Sequence, residues 1–254
     1  MKTSTSKRLR WNVAIWLAAG LFMTSTAGMA SGPILPDPKA EARHHPQIEE
    51  TANGIPLVNI TAPSSGGVSR NEYEMFNVPD KGAILNNSYT LSKTELAGYV
   101  PGNNNMAERP AKIIVNEVTG TGSTSMDGFL EVAGNRADVV IANPNGITVN
   151  GGGFINTGKA FLTTGKPVYD GEDHLQRFDI TGGDILIEGK GLGGKETESL
   201  AILSRAVKIN AGIWAEDLHI TTGANTVDAK TLEASAIEGK GGRPAFALDT
   251  AALG

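Results

Sequence analysis

Ile141-Ala142-Asn143-Pro144-Asn145-Gly146-Ile147 is the stretch on which the fold turns. Two apolar residues lead into four turn formers, and a β-branched residue follows. Read as a four-residue turn, Asn143 takes the first position, Pro144 the second and Gly146 the fourth, which are the preferences of a type I β-turn. Pro144 presets φ, and the Asn143 side chain is placed to accept a local backbone hydrogen bond. By itself the motif states only that two strands meet at a tight corner.

Outward from this corner the same texture repeats. Runs such as Leu57 to Ile60, Ala111 to Val115, Val139 to Ala142, Ile147 to Val149, Phe161 to Thr163, Ile185 to Ile187, Ala206 to Ile209 and Leu218 to Thr221 are short and rich in β-branched residues. Gly, Asn, Asp and Pro bound them, and no 3.6-residue stripe persists, so the chain reads as all-β. The composition agrees, with 32 Gly and only 6% aromatic residues. Sandwich hairpins favour two-residue turns and strands of five or six residues. Here many runs have three residues and the turns carry Asn and Gly, as in Val149 to Asn156. Short strands separated by bends suit a coil that stacks on itself, with Asn forming ladders at its corners. At roughly 20 residues per coil, residues 55–245 would make about nine coils, a rod on the order of 45 Å long.

The corner sits inside Arg136-Ala137-Asp138-Val139-Val140-Ile141-Ala142-Asn143-Pro144-Asn145-Gly146-Ile147-Thr148-Val149-Asn150-Gly151-Gly152-Gly153-Phe154-Ile155-Asn156-Thr157. This stretch closely resembles the signature of filamentous haemagglutinin-type secretion domains of two-partner secretion. The resemblance continues upstream through Val58 to Ile60, Ser65 to Ser69, Phe76 to Val78 and Ile113 to Val118. Downstream it runs through Leu203 to Ala206 and Ile209 to Ala215, so that it covers roughly residues 55–230. It implies a right-handed parallel β-helix with an N-terminal cap. It also implies a partner: an outer-membrane barrel whose soluble domains read the chain in the periplasm, before the chain crosses unfolded and folds outside. Cargo following such a start would be an adhesin, a haemolysin or a contact-dependent growth-inhibition toxin.

The family usually carries two Asn-Pro-Asn motifs. The second matches at Asn143, Pro144, Asn145 and Gly146. The first, usually Asn-Pro-Asn-Leu, corresponds to Asn103, Asn104, Asn105 and Met106. There Asn104 replaces Pro and Met106 replaces Leu; Asn tolerates a turn and Met fills an apolar slot.

The N-terminus has its own grammar. Lys2, Lys7, Arg8 and Arg10 precede the apolar run Val13 to Met23, and Gly28-Met29-Ala30 supplies small residues for cleavage. Residues 1–30 read as a secretory signal peptide handled by the inner-membrane export machinery, cut between Ala30 and Ser31. The apolar run falls short of the ~20 residues a membrane span needs. Residues 31–54, with Pro33, Pro36, Pro38 and Pro46, read as a flexible lead-in. Residues 55–245 are the β-helix domain, and 246–254 the start of a further coil or a truncated end. Without residues 1–30 and their four basic groups, 18 Lys+Arg remain against 27 Asp+Glu, a formal charge of −9. Such a chain is a poor nucleic-acid binder. It contains no Cys, although exported proteins commonly use disulfides, which fits a need to thread a pore unfolded.

Enzymatic readings find little. Gly189 to Lys195 follows most of a phosphate-loop pattern, but Glu196 stands where Ser or Thr should hold Mg²⁺. His44-His45, with only His174 and His219 elsewhere, is a poor start for a metal site. Some β-helix proteins cleave acidic polysaccharides, and that is the rival function, yet Asp184 and Glu188 flank an apolar strand as an ordinary solvated pattern. No Asp179-centred cluster or nucleophile–base pair stands out. The sequence therefore reads as a non-enzymatic secretion and targeting domain without cofactor, exported to the cell surface or medium.

Overall fold

The computed structural model describes residues 33–250 apart from Glu108, Lys195 and Arg243. The expected signal segment and its expected cleavage between Ala30 and Ser31 lie outside these residues.

The alternating apolar runs form strands that stack in register from coil to coil. One coil runs through Phe129–Gly134, Ala137–Ala142 and Ile147–Val149. The next runs through Gly152–Ile155, Thr157–Thr163 and Asp184–Ile187, all parallel to their predecessors. Repetition builds three parallel faces, the sides of a right-handed parallel β-helix. The face that begins each coil is called the entry face here. The face containing Ala137–Ala142 is the middle face, and the one containing Ile147–Val149 the exit face.

Inside, like stacks on like. Ile114, Val139, Ala160 and Leu200 form one inward row of the middle face. Met126, Val149, Ile187 and Ile209 form a row of the exit face. All belong to one buried core, and each large apolar side chain so buried contributes about 1.5–3 kcal/mol before the cost of ordering the chain. Toward the cap, polar residues enter the same interior. Asn71 and Asn116 precede Ile141 in the next inward row of the middle face. On the outer side of the entry face, Asn86 Nδ2 donates to Asn59 Oδ1 on the neighbouring coil (2.8 Å), a single rung between two strand residues rather than a ladder at a corner.

Two expectations need correction. Among the described residues the entry face has seven strands, of which the first, Gln47–Glu50, is antiparallel, leaving six parallel coils rather than nine. The core therefore rises only about 29 Å at one strand spacing per coil. The missing residues go into excursions. A hairpin of Ser92–Thr94 and Gly98–Val100 covers the early entry face. Lys166–Tyr169, Leu175–Ile180, Asn225–Asp228 and Ala234–Ala236 form an antiparallel sheet whose Phe178, Ile180 and Val227 pack on the outside of the middle face.

The second correction concerns residues 31–54. Instead of a flexible lead-in, Ile34–Pro36 pairs antiparallel with Val68–Phe76, and Gln47–Glu50 pairs with Pro56–Asn59. These two strands close the end of the core, with Ile34 itself buried. The prolines are compatible with this because a cap strand lies at a sheet edge, where a missing N–H costs no ladder bond. At the other end Leu248–Asp249 lies parallel to Val207–Lys208 on the exit face.

Candidate functional site

The two asparagine motifs are two copies of one device. At the second, Asn143 Oδ1 accepts the Asn145 N–H (2.9 Å), and the Asn143 carbonyl accepts the Gly146 N–H (3.1 Å). At the first, Asn103 Oδ1 accepts the Asn105 N–H (2.9 Å), and the Asn103 carbonyl accepts the Met106 N–H (3.0 Å). Each is a β-turn nested in an Asx-turn. Asn104 in the place of Pro leaves the turn closed, and Met106 is buried in the core as the apolar slot requires.

Each turn is also riveted to other coils. Asn143 is fully buried. Its Nδ2 donates to the Gly122 carbonyl (2.9 Å) and Thr124 Oγ1 (3.0 Å) in the coil before it. Its own N–H donates to the Thr163 carbonyl (2.9 Å) in the coil after it. Asn145 Nδ2 reaches the Gly120 carbonyl (2.9 Å). Asn103 Nδ2 donates to the Ile60 and Asn86 carbonyls, both at 2.9 Å, and Asn105 Nδ2 to the Ile60 carbonyl at 3.1 Å. Only a short side chain with an acceptor and two donors satisfies a turn and a neighbouring coil together, which is why Asn occupies these positions. Pro144 and Asn145 are exposed at the corner. Gly146 has φ +113, outside the range of other residues, and lies against the Asp184 carbonyl of the next coil. The motif thus hydrogen-bonds its corner to the coils on either side.

The remaining sequence candidates fall elsewhere. Gly189 to Gly194 forms a corner entering the strand Leu192–Gly194, and Ser199–Ser204 beyond it is a strand, so no helix dipole faces a phosphate there. Asp184 is exposed at the start of its alternating strand. His44 is buried beside Glu72. Among the described residues no group of three His, Asp or Glu side chains converges as a metal-ligand set.

Two charged groups, one buried and one half-buried, stand outside the motifs. Glu131 accepts the N–H groups of Glu95 (2.7 Å) and Leu96 (2.9 Å), which fastens the hairpin over the entry face. Burial raises its pKa, although both hydrogen bonds work in the other direction. Arg70 sits among Glu72, Glu117 and Tyr169 beneath the antiparallel sheet. In sequence these look like solvated outward residues; only Glu131, between Leu130 and Val132 in an otherwise apolar run, hinted at burial.

The comparisons with known proteins converge. Residues 33–254 match the model of the TPS secretion domain. The chain is 45% identical over 230 residues to the 16S rRNA endonuclease CdiA of Enterobacter cloacae, covering 89% of this chain and 7% of that protein. It is 46% identical over 227 residues to Toxin CdiA of Yersinia pestis, with the same two coverages. It therefore spans about 7% of the length of these curated relatives. The crystal structure of a filamentous hemagglutinin secretion domain superposes with a TM-score of 0.78 at 32% identity, over 86% of this chain and 73% of that one. On these grounds the chain belongs to the family of TPS secretion domains found in CdiA and filamentous haemagglutinin exoproteins.

Proposed function

We propose that this chain addresses a larger exoprotein to a dedicated outer-membrane barrel and begins its folding outside. Residues 1–30 carry it across the inner membrane. The soluble periplasmic domains of the barrel then read the still unfolded chain, by strand addition to its β-prone early segments. The cargo is of the contact-dependent toxin kind that the CdiA relatives exemplify. The domain performs no chemistry of its own; the nuclease activity in the relatives' names is said of those far longer proteins.

What supports this reading most is the match to the TPS secretion domain along residues 33–254. The stacked architecture adds a physical reason. Neither ATP nor a steep ion gradient is available at the outer membrane, so direction must come from elsewhere. In a coil stack each new turn docks on the one before, and folding propagates. Total domain stability is only about 5–15 kcal/mol, yet each docked coil hinders back-sliding.

The test is export in the native bacterium with the partner barrel present or deleted. The full chain is expected in the medium or on the surface only when the barrel is present, and in the periplasm otherwise. Equal export without the barrel would overturn the proposal.

A further inference from the structure

Two segments distant in the chain meet outside the middle face. One is the cap, residues 33–50. The other is the hairpin of Lys166–Tyr169 and Leu175–Ile180, inserted in the fourth coil. Between them lies a charged cluster that a purely apolar β-helix would not need.

Arg70, in the first coil, is its centre. Its Nη2 lies 2.9 Å from Glu72 Oε1 and 3.2 Å from Glu117 Oε2 of the second coil. Its guanidinium sits 4.4 Å from the centroid of the Tyr169 ring, which comes from the hairpin. Tyr169 Oη is buried without a hydrogen-bond partner among the described residues, so the ring is held there by packing and by the cation above it. The cap joins through Glu72, whose Oε1 is 3.1 Å from His44 Nδ1 and whose carbonyl accepts the Asp37 N–H (3.0 Å). The hairpin tip joins the cap directly, where Arg43 pairs with Asp173. The His174 ring fills the space in front of Gly66 in the first coil, where any side chain would collide with it.

We propose that the cap, the first coil and the hairpin of residues 166–180 open and close as one cooperative clasp with Arg70 as its pin. One guanidinium serves two carboxylates and an aromatic ring. Removing the hairpin leaves Arg70 and Glu117 exposed to rearrangement, and removing the cap strips Glu72 of His44. Charges shielded from water as Glu117 is, and partly as Arg70 and Glu72 are, contribute little net stability but are costly when one partner is lost, which couples the segments. The consequence is an order of assembly: the cap cannot reach its full protection until about 130 further residues have joined it, as the Arg43–Asp173 separation requires. The proposal concerns folding alone and stands whether or not the chain addresses a transporter.

Native-state hydrogen exchange on the full chain tests it, comparing wild type with Arg70→Met and Tyr169→Leu. Both replacements are apolar and remove the charge–ring contact, and Tyr169→Leu keeps the test alive if Arg70→Met fails to fold. The expected result is faster exchange by a common factor, about tenfold or more, in Ile34–Pro36, Gln47–Glu50 and Leu175–Ile180. The amides of Ser199–Ser204 should keep wild-type rates. Acceleration in the hairpin with an unchanged cap, or no acceleration in either, would overturn the clasp.

Discussion

Gly146→Val probes the Asn143–Gly146 corner. Gly146 has φ +113, beyond even the left-handed region that other residues tolerate, and a β-branched residue suffers most there. Such strain costs about 1–3 kcal/mol. The added Cβ would stand 3.1 Å from the Asp184 carbonyl of the next coil, closer than nine in ten real contacts. The backbone cannot easily retreat, because the Gly146 carbonyl accepts the Thr124 N–H (3.0 Å) from the coil before it. Losing that bond would add about 1 kcal/mol. The total is about 2–4 kcal/mol, or roughly 5–15 °C in melting temperature for a domain of this size. Pro144→Ala removes only a preset φ at an exposed site and should cost at most about 1 kcal/mol. Urea and thermal midpoints of the two purified variants measure the contrast. Equal midpoints would refute the account of the turn.

Other predictions concern charge and processing. Burial, foremost, raises the Glu117 pKa, with Glu72 adding to it and Arg70 and Lys166 opposing. The folded chain thus holds that proton more readily than the unfolded one, and the stability this gives is lost as pH rises through the folded value. Glu117→Gln should therefore gain on wild type in urea midpoint as pH rises from the ordinary glutamate value of 4.5 toward neutrality; a pH-independent difference would contradict this. His44, lowered mainly by burial and by Arg70, runs the other way and loses stability as pH falls. Arg43, Asp173 and Tyr169 also face the cluster unchanged in both. Finally, intact-mass measurement of the exported chain should show a start at Ser31; retention of Met1 would rule out cleavage after Ala30.

What could be read from sequence was local. The Asn143–Gly146 corner declares itself because its turn bonds span four residues, and the degenerate Asn103–Met106 copy keeps the same bonds through its first and third Asn. What could not be read was non-local. Ile34–Pro36 and Gln47–Glu50 are short, charged or proline-rich, and become strands only because Val68–Phe76 and Pro56–Asn59 offer them edges. Lys166–Tyr169 and Leu175–Ile180 have strand texture yet leave the stack, so strand texture alone implies more coils than the core contains. Arg70 and Glu117 occupy outward positions, and nothing nearby in sequence announces that a hairpin far downstream will cover them.

The most direct test of the central claim, that this domain crosses the outer membrane unfolded and becomes a β-helix outside, is export of a disulfide-locked chain. Thr148 and Leu186 are in-register partners on the exit face. Neighbouring parallel strands stand about 4.8 Å apart, within the reach of a disulfide, so the folded domain accommodates Thr148→Cys with Leu186→Cys. In the unfolded chain the same bond closes a loop of roughly 40 residues, which holds two strands abreast in the pore. Under oxidising conditions the double variant should remain in the periplasm, each single variant should be exported normally, and added reductant should restore export. Arrival of the double variant outside at the wild-type rate, with its disulfide intact, would contradict the account.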